Sequence, residues 1–233
     1  MTTMNARSFS SVVSADDLRT YVQRVYAWMV GGLLLTAVTA MGVASSPDLL
    51  QLFLGTPLRY VVLFGPLVLV WFLAARIDTL KPSTAATLFL VYSMAVGIML
   101  SSIFVVYELG SIAQVFFIAA GMYAGAAVYG YTTKRDLTSM GSFMAMGVIG
   151  LVLAMIVNMF LGSGPLDFAI SIIGVAIFTG LTAWDMQRIK EQAVAMYAGD
   201  ANAAKRTILS ALGLYLNFIN LFLFLLRLLG NRR

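Results

Sequence analysis

Seven long runs of apolar residues, separated by short polar segments, dominate the sequence. They lie at about 25–45, 59–77, 84–107, 111–131, 139–161, 167–187 and 208–229. A helix needs about 20 apolar residues to cross the hydrocarbon core of a bilayer. Helices also satisfy their own backbone hydrogen bonds, which lipid cannot do for them. The pattern therefore predicts an all-α membrane protein, a bundle of seven transmembrane helices.

The last apolar run carries a stripe of small and polar residues. Within residues 210–230 its members are Ser210, Gly213, Asn217, Asn220 and Arg227. Their spacing of three, four, three and seven positions places them on one face of a helix. Unsatisfied polar groups cost several kcal/mol in hydrocarbon, so the stripe should face protein or a water-filled path. We therefore expect the C-terminal helix to be central, with the other six around it.

The first 24 residues are polar and precede the first apolar run. We predict that residues 1–24 form a cytoplasmic N-terminal tail and that residues 25–233 form one transmembrane domain. No cleaved signal peptide is visible. Ser14 followed by Asp17 resembles a capping box, so either a helix begins there or the tail is disordered.

Composition supports the membrane assignment and excludes several kinds of chemistry. Hydrophobic residues make up 61% of the chain and charged residues 11%, whereas soluble domains are about one quarter charged. The chain has no cysteine and no histidine, which removes disulfides, thiolate chemistry and the commonest metal ligands. No nucleophile–base pair or phosphate loop is visible. We predict no enzymatic activity, no resident cofactor or metal, and no nucleic-acid partner.

The distribution of Lys and Arg predicts the orientation. With the N-terminus in the cytoplasm, 11 of the 15 basic residues fall in inner segments, as the positive-inside rule favours. Seven crossings place the basic tail GNRR outside, against that rule. Either the earlier helices fix the orientation, or the last run does not fully cross. We adopt seven crossings.

Few ionisable groups lie within or beside the apolar runs, and Asp185 is the foremost. It is either an interfacial carboxylate paired with Arg188 or Lys190, or a carboxylate buried in the bundle. Intramembrane carboxylates are functional candidates because burying them is costly. Arg76, at the end of the second run, is either its counter-ion or an anchor that extends to the interface.

Amide and small side chains mark other helix faces. Asn217 and Asn220 are either hydrogen-bonding partners between helices or part of a polar pathway. Two close-packing faces are predicted: Gly121 with Gly125 in the fourth run, and Gly147, Gly150 and Ala154 with Asn158 in the fifth.

Three segments carry a resemblance to a known family. They are YGYTTKRDL at 129–137, GLTAWDMQRIK at 180–190 and ALGLYLNFINLFLFLLRLLGNRR at 211–233. Together they resemble the Bax inhibitor-1 family, also called the transmembrane BAX inhibitor motif family, and its bacterial members above all. The resemblance implies seven helices around a central C-terminal helix, a location in the bacterial inner membrane, and calcium leak. In eukaryotes it implies suppression of cell death.

The resemblance also implies a site. In bacterial members two aspartates, on the sixth and seventh helices, are proposed to share a proton, and an arginine on the second helix is proposed to latch onto them. Asp185 and Arg76 match the first aspartate and the arginine. Asn217 stands where the family motif LYLDFIN often has Asp. Two adjacent carboxylates cannot both ionise, so such a pair responds to pH. We expect Asn217 to weaken that gating.

Two functions follow as expectations. The first is a cation leak, for Ca²⁺ or other cations, along a path formed by Asp185, Asn217, Asn220 and Arg76. Because Ca²⁺ prefers six to eight oxygen ligands, its binding there would be transient. The second is a non-conducting regulator that binds other membrane proteins, such as a membrane-bound ATP-dependent protease. A proton-coupled transporter ranks lower, since no inverted repeat is visible. The oligomeric state stays open.

Overall fold

The computed structural model describes residues 15–77, 79–196 and 203–233. Seven helices in these residues are long and apolar enough to cross a membrane, which confirms the all-α prediction. They are α1 (Ala15–Ala44), α3 (Leu58–Arg76), α4 (Pro82–Leu100), α6 (Leu109–Thr132), α7 (Thr138–Leu161), α8 (Gly164–Met196) and α9 (Ala203–Leu229). Two shorter helices, α2 (Pro47–Leu54) and α5 (Ile103–Val106), lie between them.

Several helices are longer than the apolar runs that predicted them. The first begins at Ala15 and the sixth long helix continues to Met196, so both extend well into polar sequence. Hydropathy marks only the part of a helix that suits lipid, whereas backbone hydrogen bonding continues beyond it. Ser14 lies outside the described residues, so the predicted capping box and the N-terminal tail stay predictions.

The short helix α2 was not predicted, because its apolar residues are too few to span a bilayer. Local signals nevertheless define its start. The Ser46 hydroxyl accepts a hydrogen bond from the Leu49 backbone N–H at 3.4 Å, and Pro47 occupies the first helical position. Gly55 ends the helix.

The end of α7 is set by a glycine and an asparagine. Gly162 has φ +60°, a left-handed conformation that glycine adopts without strain. Its N–H donates to the Asn158 carbonyl at 2.8 Å, and the Asn158 side chain accepts from the Ser163 N–H at 3.0 Å. Asn158 therefore caps a helix end.

The described chain forms two compact units. Unit 1 takes residues up to Val105 together with Ile189–Tyr215, and unit 2 takes Val106–Arg188 together with Leu216–Arg233. Each unit therefore contains one half of α9.

In unit 1 a buried polar contact sits among aromatic rings. The Thr36 hydroxyl donates to the Ser93 carbonyl at 2.9 Å and lies 2.6 Å from the Tyr215 hydroxyl. The Phe89 ring packs edge-on against Tyr215, with the centroids 5.8 Å apart. A Cβ at Gly97 would lie 2.7 Å from the Thr36 carbonyl, so α1 and α4 cross closely here.

In unit 2 the second half of α9 packs through aromatic residues. Phe218 contacts Phe116 and Tyr123 of α6 edge-on, each with centroids 5.5 Å apart. Phe224 stacks on Phe178 of α8 at 5.8 Å. These contacts place α9 at the core of this unit.

Burial agrees with a central C-terminal helix. In the most apolar 18-residue window of α9, 67% of residues are buried, compared with 6–44% for the other six long helices. Tyr215 and Leu221 are both fully buried. The prediction that the C-terminal helix is central is confirmed.

The predicted small-residue faces have different outcomes. A Cβ at Gly147 would lie 2.8 Å from Ile177 of α8, so this position does pack closely. A Cβ at Gly121, Gly125 or Gly150 would meet no described atom within 4 Å. For these three positions the prediction of close packing within the chain is wrong.

Residues 231–233 form a short backbone pairing in unit 2. Its contacts are Tyr107 opposite Arg232 in an antiparallel bridge, the Glu108 N–H donating to the Asn231 carbonyl at 3.1 Å, and the Arg233 N–H donating to the Val106 carbonyl at 3.0 Å. We call this pairing the C-terminal clasp. It ties residues 231–233 to the segment before α6.

Candidate functional site

Asp185 on α8 and Asn217 on α9 meet in unit 2. The Asn217 Nδ2 donates a hydrogen bond to Asp185 Oδ2 at 2.8 Å. Asn217 is buried, with 6% of its surface exposed, and the Asp185 side chain is 19% exposed. The two positions singled out on the sixth and seventh apolar runs are therefore direct partners.

The second oxygen of Asp185 faces a cation. Arg188, one turn further along α8, places Nη1 at 3.4 Å from Asp185 Oδ1. Its guanidinium also lies over the Trp184 ring, 4.7 Å from the centroid, which favours this rotamer. The two alternatives for Asp185 thus occur together: it pairs with Arg188 and also has a buried partner. We call Asp185, Asn217 and Arg188 the Asp185 cluster.

An amide partner gives this cluster particular chemistry. Asn217 offers N–H donors and holds no titratable proton, so it cannot share a proton with the Asp185 carboxylate. The two oxygens of Asp185 accept hydrogen bonds from different groups, Asn217 and Arg188. A single carboxylate and one amide supply few ligands for a divalent cation. Within the described residues no group of three or more His, Cys, Asp or Glu could hold a metal.

The rest of the α9 stripe separates into different environments. Asn220 Nδ2 donates to the Leu216 carbonyl of its own helix at 2.8 Å and does not bind Asp185. Ser210, in unit 1, donates to Gln192 Oε1 at 2.9 Å. Arg227 is exposed at the far end of the helix. The interhelical role predicted for the two asparagines therefore fits Asn217, and a pathway role for Asn220 stays a prediction.

Arg76 is the last residue of α3 and belongs to unit 1. The cation paired with Asp185 in the described structure is Arg188. The role of Arg76 as a counter-ion for Asp185 stays a prediction.

Gln187 was missed by sequence reasoning, although it lies two residues after Asp185. Its Oε1 accepts from the Leu137 N–H at 2.8 Å and its Nε2 donates to the Arg135 carbonyl at 2.8 Å. One side chain thus holds the connection between α6 and α7 against α8. Nothing in the periodicity marks it, because a glutamine near a helix end is ordinarily solvated.

Two glycines allow close approach beside the cluster. A Cβ at Gly130 would overlap the Ala183 carbonyl, and a Cβ at Gly141 would overlap the Trp184 indole. Both partners directly precede Asp185 on α8. The segments 129–137 and 180–190, which carry the resemblance, are therefore in contact.

Asp136 stabilises the start of α7 from the same connection. Its carboxylate accepts from the Thr138 N–H at 2.8 Å. Hydrogen bonds from the Thr138 side chain and backbone hold the pKa of this exposed carboxyl below its usual value. A lowered pKa means that the contribution to stability is lost as the pH falls through it.

We expect the Gln187→Ala variant to loosen the connection between α6 and α7. Two hydrogen bonds are lost, each worth about 1 kcal/mol. In detergent, trypsin should cut after Lys134 or Arg135 several times faster than in the parent protein. Gln114→Ala, at an exposed position of α6, is the control and should not change the rate. Equal rates in all three proteins would contradict the anchoring role.

Comparison with known proteins gives consistent results. Residues 18–233 match the family described as "Inhibitor of apoptosis-promoting Bax1". The "Inner membrane protein YbhL" of Escherichia coli K12 is 45% identical over 229 residues, covering 97% of this chain and 98% of the relative. "Uncharacterized protein RP147" of Rickettsia prowazekii is 43% identical, covering 94% and 92%. "Uncharacterized protein YrjE" of Lactococcus lactis is 36% identical, covering 93% and 92%.

Proposed function

The chain belongs to the Bax inhibitor-1 family, and from this membership we propose that it is a cation leak channel, with Ca²⁺ as the main ion, gated at the Asp185 cluster. We further propose that it resides in a bacterial inner membrane with its N-terminus in the cytoplasm. The E. coli relative is named an inner membrane protein, and the basic residues favour this orientation.

The observation that carries the proposal is the hydrogen bond between Asn217 and Asp185. It joins the central helix α9 to α8 through a carboxylate in an apolar segment. Burying a carboxylate in a membrane costs free energy, so its presence there favours a functional role. A negative charge held there would attract cations, and a change in its partners would change access to it.

Weak binding suits a leak. Ca²⁺ that lost most of its hydration to one carboxylate and one amide would be poorly coordinated, so it would retain water and pass quickly. Conduction requires binding that is favourable enough for entry and weak enough for exit.

The Asp185→Asn variant tests the proposal. It removes the charge, keeps the size of the side chain and can still hydrogen-bond Asn217. We expect Ca²⁺ flux into liposomes holding purified protein to fall by about tenfold or more. The reason is that a unit charge at 4 Å contributes roughly 4 kcal/mol at an effective dielectric constant near 20.

Asp167→Asn is the matched control on the same helix. Asp167 lies in the first turn of α8, pairs with Arg227 at 3.7 Å and is 39% exposed. This variant removes the same charge far from the Asp185 cluster, so its flux should stay within about twofold of the parent. If both variants conduct like the parent protein, Asp185 does not control a cation path.

The regulator of other membrane proteins is the second candidate, and α7 favours it. Only 6% of its most apolar window is buried, so Phe143, Met146 and their neighbours are free to contact either lipid or a partner helix. Deletion of residues 1–14 leaves α1 intact and tests whether the tail serves such binding. Loss of partner binding with unchanged flux would favour the regulator.

A further inference from the structure

A cleft of about 490 Å³ opens at one end of unit 1, and none of its lining residues belongs to the Asp185 cluster. Three side chains at positions i, i+3 and i+7 of α1 form one wall: Tyr21, Arg24 and Trp28. The first residue of α4, Pro82, and the first turns of α9, including Ile208, form the others. The volume lies within the range of small-ligand sites.

The charge in the cleft has one sign. Arg24 is exposed, and within the described residues no carboxylate pairs with it. No Asp or Glu is among the described residues that line the cleft. Lys81, which is exposed, directly precedes the lining residue Pro82 in the sequence. These features complement an anion.

The remaining walls are apolar. The Trp28 ring packs edge-on against Phe89 with centroids 6.1 Å apart, which holds its orientation. Ile208 is buried and Pro82 offers an apolar ring. Trp28 lies near the start of the apolar run 25–45 of α1, and tryptophan at the edge of an apolar run is typical of the headgroup level of a bilayer. A ligand that fits therefore combines an anionic group with an apolar body.

We propose that this cleft binds the headgroup of an anionic phospholipid. The phosphate contacts Arg24, and the first methylene groups of the acyl chains pack against Trp28 and Ile208. The first, third and seventh long helices all begin at this end of unit 1, which the basic residues orient towards the cytoplasm. The inner leaflet there supplies anionic lipid.

The experiment measures binding of fluorescent phosphatidylglycerol and phosphatidylcholine to the full-length protein in detergent by anisotropy. We expect phosphatidylglycerol to bind more tightly than phosphatidylcholine. Arg24→Gln should raise the Kd for phosphatidylglycerol about fivefold, which corresponds to about 1 kcal/mol for one basic residue at an anionic surface. Ala204→Glu, at an exposed lining position, should weaken binding at least as much by repulsion.

Arg19→Gln is the matched control, because Arg19 is exposed on the same helix and does not line the cleft. It should change the Kd less than twofold. Equal loss in the Arg19 and Arg24 variants would overturn the proposal in favour of general surface attraction. Equal binding of the two lipids would also overturn it. Displacement of phosphatidylglycerol by micromolar glycerol phosphate would assign the cleft to a soluble ligand instead.

Discussion

The Asn217→Asp variant should show a stronger pH dependence than the parent protein. The new carboxyl would sit where Asn217 Nδ2 now lies 2.8 Å from Asp185 Oδ2. Ionising both carboxylates at hydrogen-bonding distance is costly, so the folded pair keeps one proton to a higher pH than a lone aspartate does. The variant should therefore change its protonation, and with it the state of the Asp185 cluster, between about pH 5 and pH 8.

The sign of the effect on stability follows from proton linkage. The folded variant binds a proton that the unfolded chain releases near the ordinary range of an aspartate. Stability is then present at low pH and falls as the pH rises. We expect the variant to be about 2 kcal/mol less stable at pH 8 than at pH 5, because two partly buried charges then repel each other.

Thermal unfolding from pH 5 to pH 8 and Ca²⁺ flux over the same range measure both consequences. Asn220→Asp makes the same chemical change three residues further along α9, where the amide bonds its own helix. Position 220 bonds its own helix and not Asp185, so this variant should lack the pH-dependent loss of stability that two paired carboxyls produce. If the two variants show the same pH profile, the contact between Asn217 and Asp185 carries no special proton chemistry.

A Gly130→Ala substitution should destabilise the protein by about 3 kcal/mol. The added Cβ would overlap the Ala183 carbonyl, and that backbone can move only if α6 and α8 separate. Separation would disturb the helix turn that presents Asp185. The fraction of protein that stays monodisperse after heating in detergent would report the loss.

Gly121→Ala on the same helix is the control. Its Cβ would meet no described atom within 4 Å, and alanine is a better helix former than glycine. This variant should be unchanged or stabilised by about 0.5–1 kcal/mol. Equal losses at the two positions would show that helix propensity, rather than the contact with Ala183, controls the response.

The pattern of apolar runs was sufficient to predict the seven long helices, because lipid restricts a spanning chain to a few structures. The stripe on α9 predicted a buried helix and drew attention to Asn217. It did so because polar groups on an apolar helix need partners. The sequence predicted neither the hydrogen-bond partner of Asn220 nor the exposed position of Arg227, since spacing shows a face but not what covers it.

Other structural features were not predicted from the sequence, for identifiable reasons. In the sequence, three glycines of α6 are equivalent candidates for close packing: Gly121, Gly125 and Gly130. Of these three, only Gly130 approaches the backbone of a neighbouring helix. Close packing depends on which helix lies opposite, and a single sequence does not contain that information. The contacts of Gln187 span about 50 residues and follow from the same tertiary arrangement. The start of α2 at Ser46 and Pro47 was readable locally and was missed.

The C-terminal clasp affects how the protein can be tagged. Arg233 donates its N–H to the Val106 carbonyl at 3.0 Å, so the backbone at this position is held in place. A fluorescent protein or affinity tag fused after Arg233 would leave from fixed backbone beside the start of α6. A short rigid linker would then give such a probe a defined attachment point for distance measurements. An insertion before Gly230 would instead separate the C-terminal clasp from α9, and the attachment point would no longer be defined by that helix.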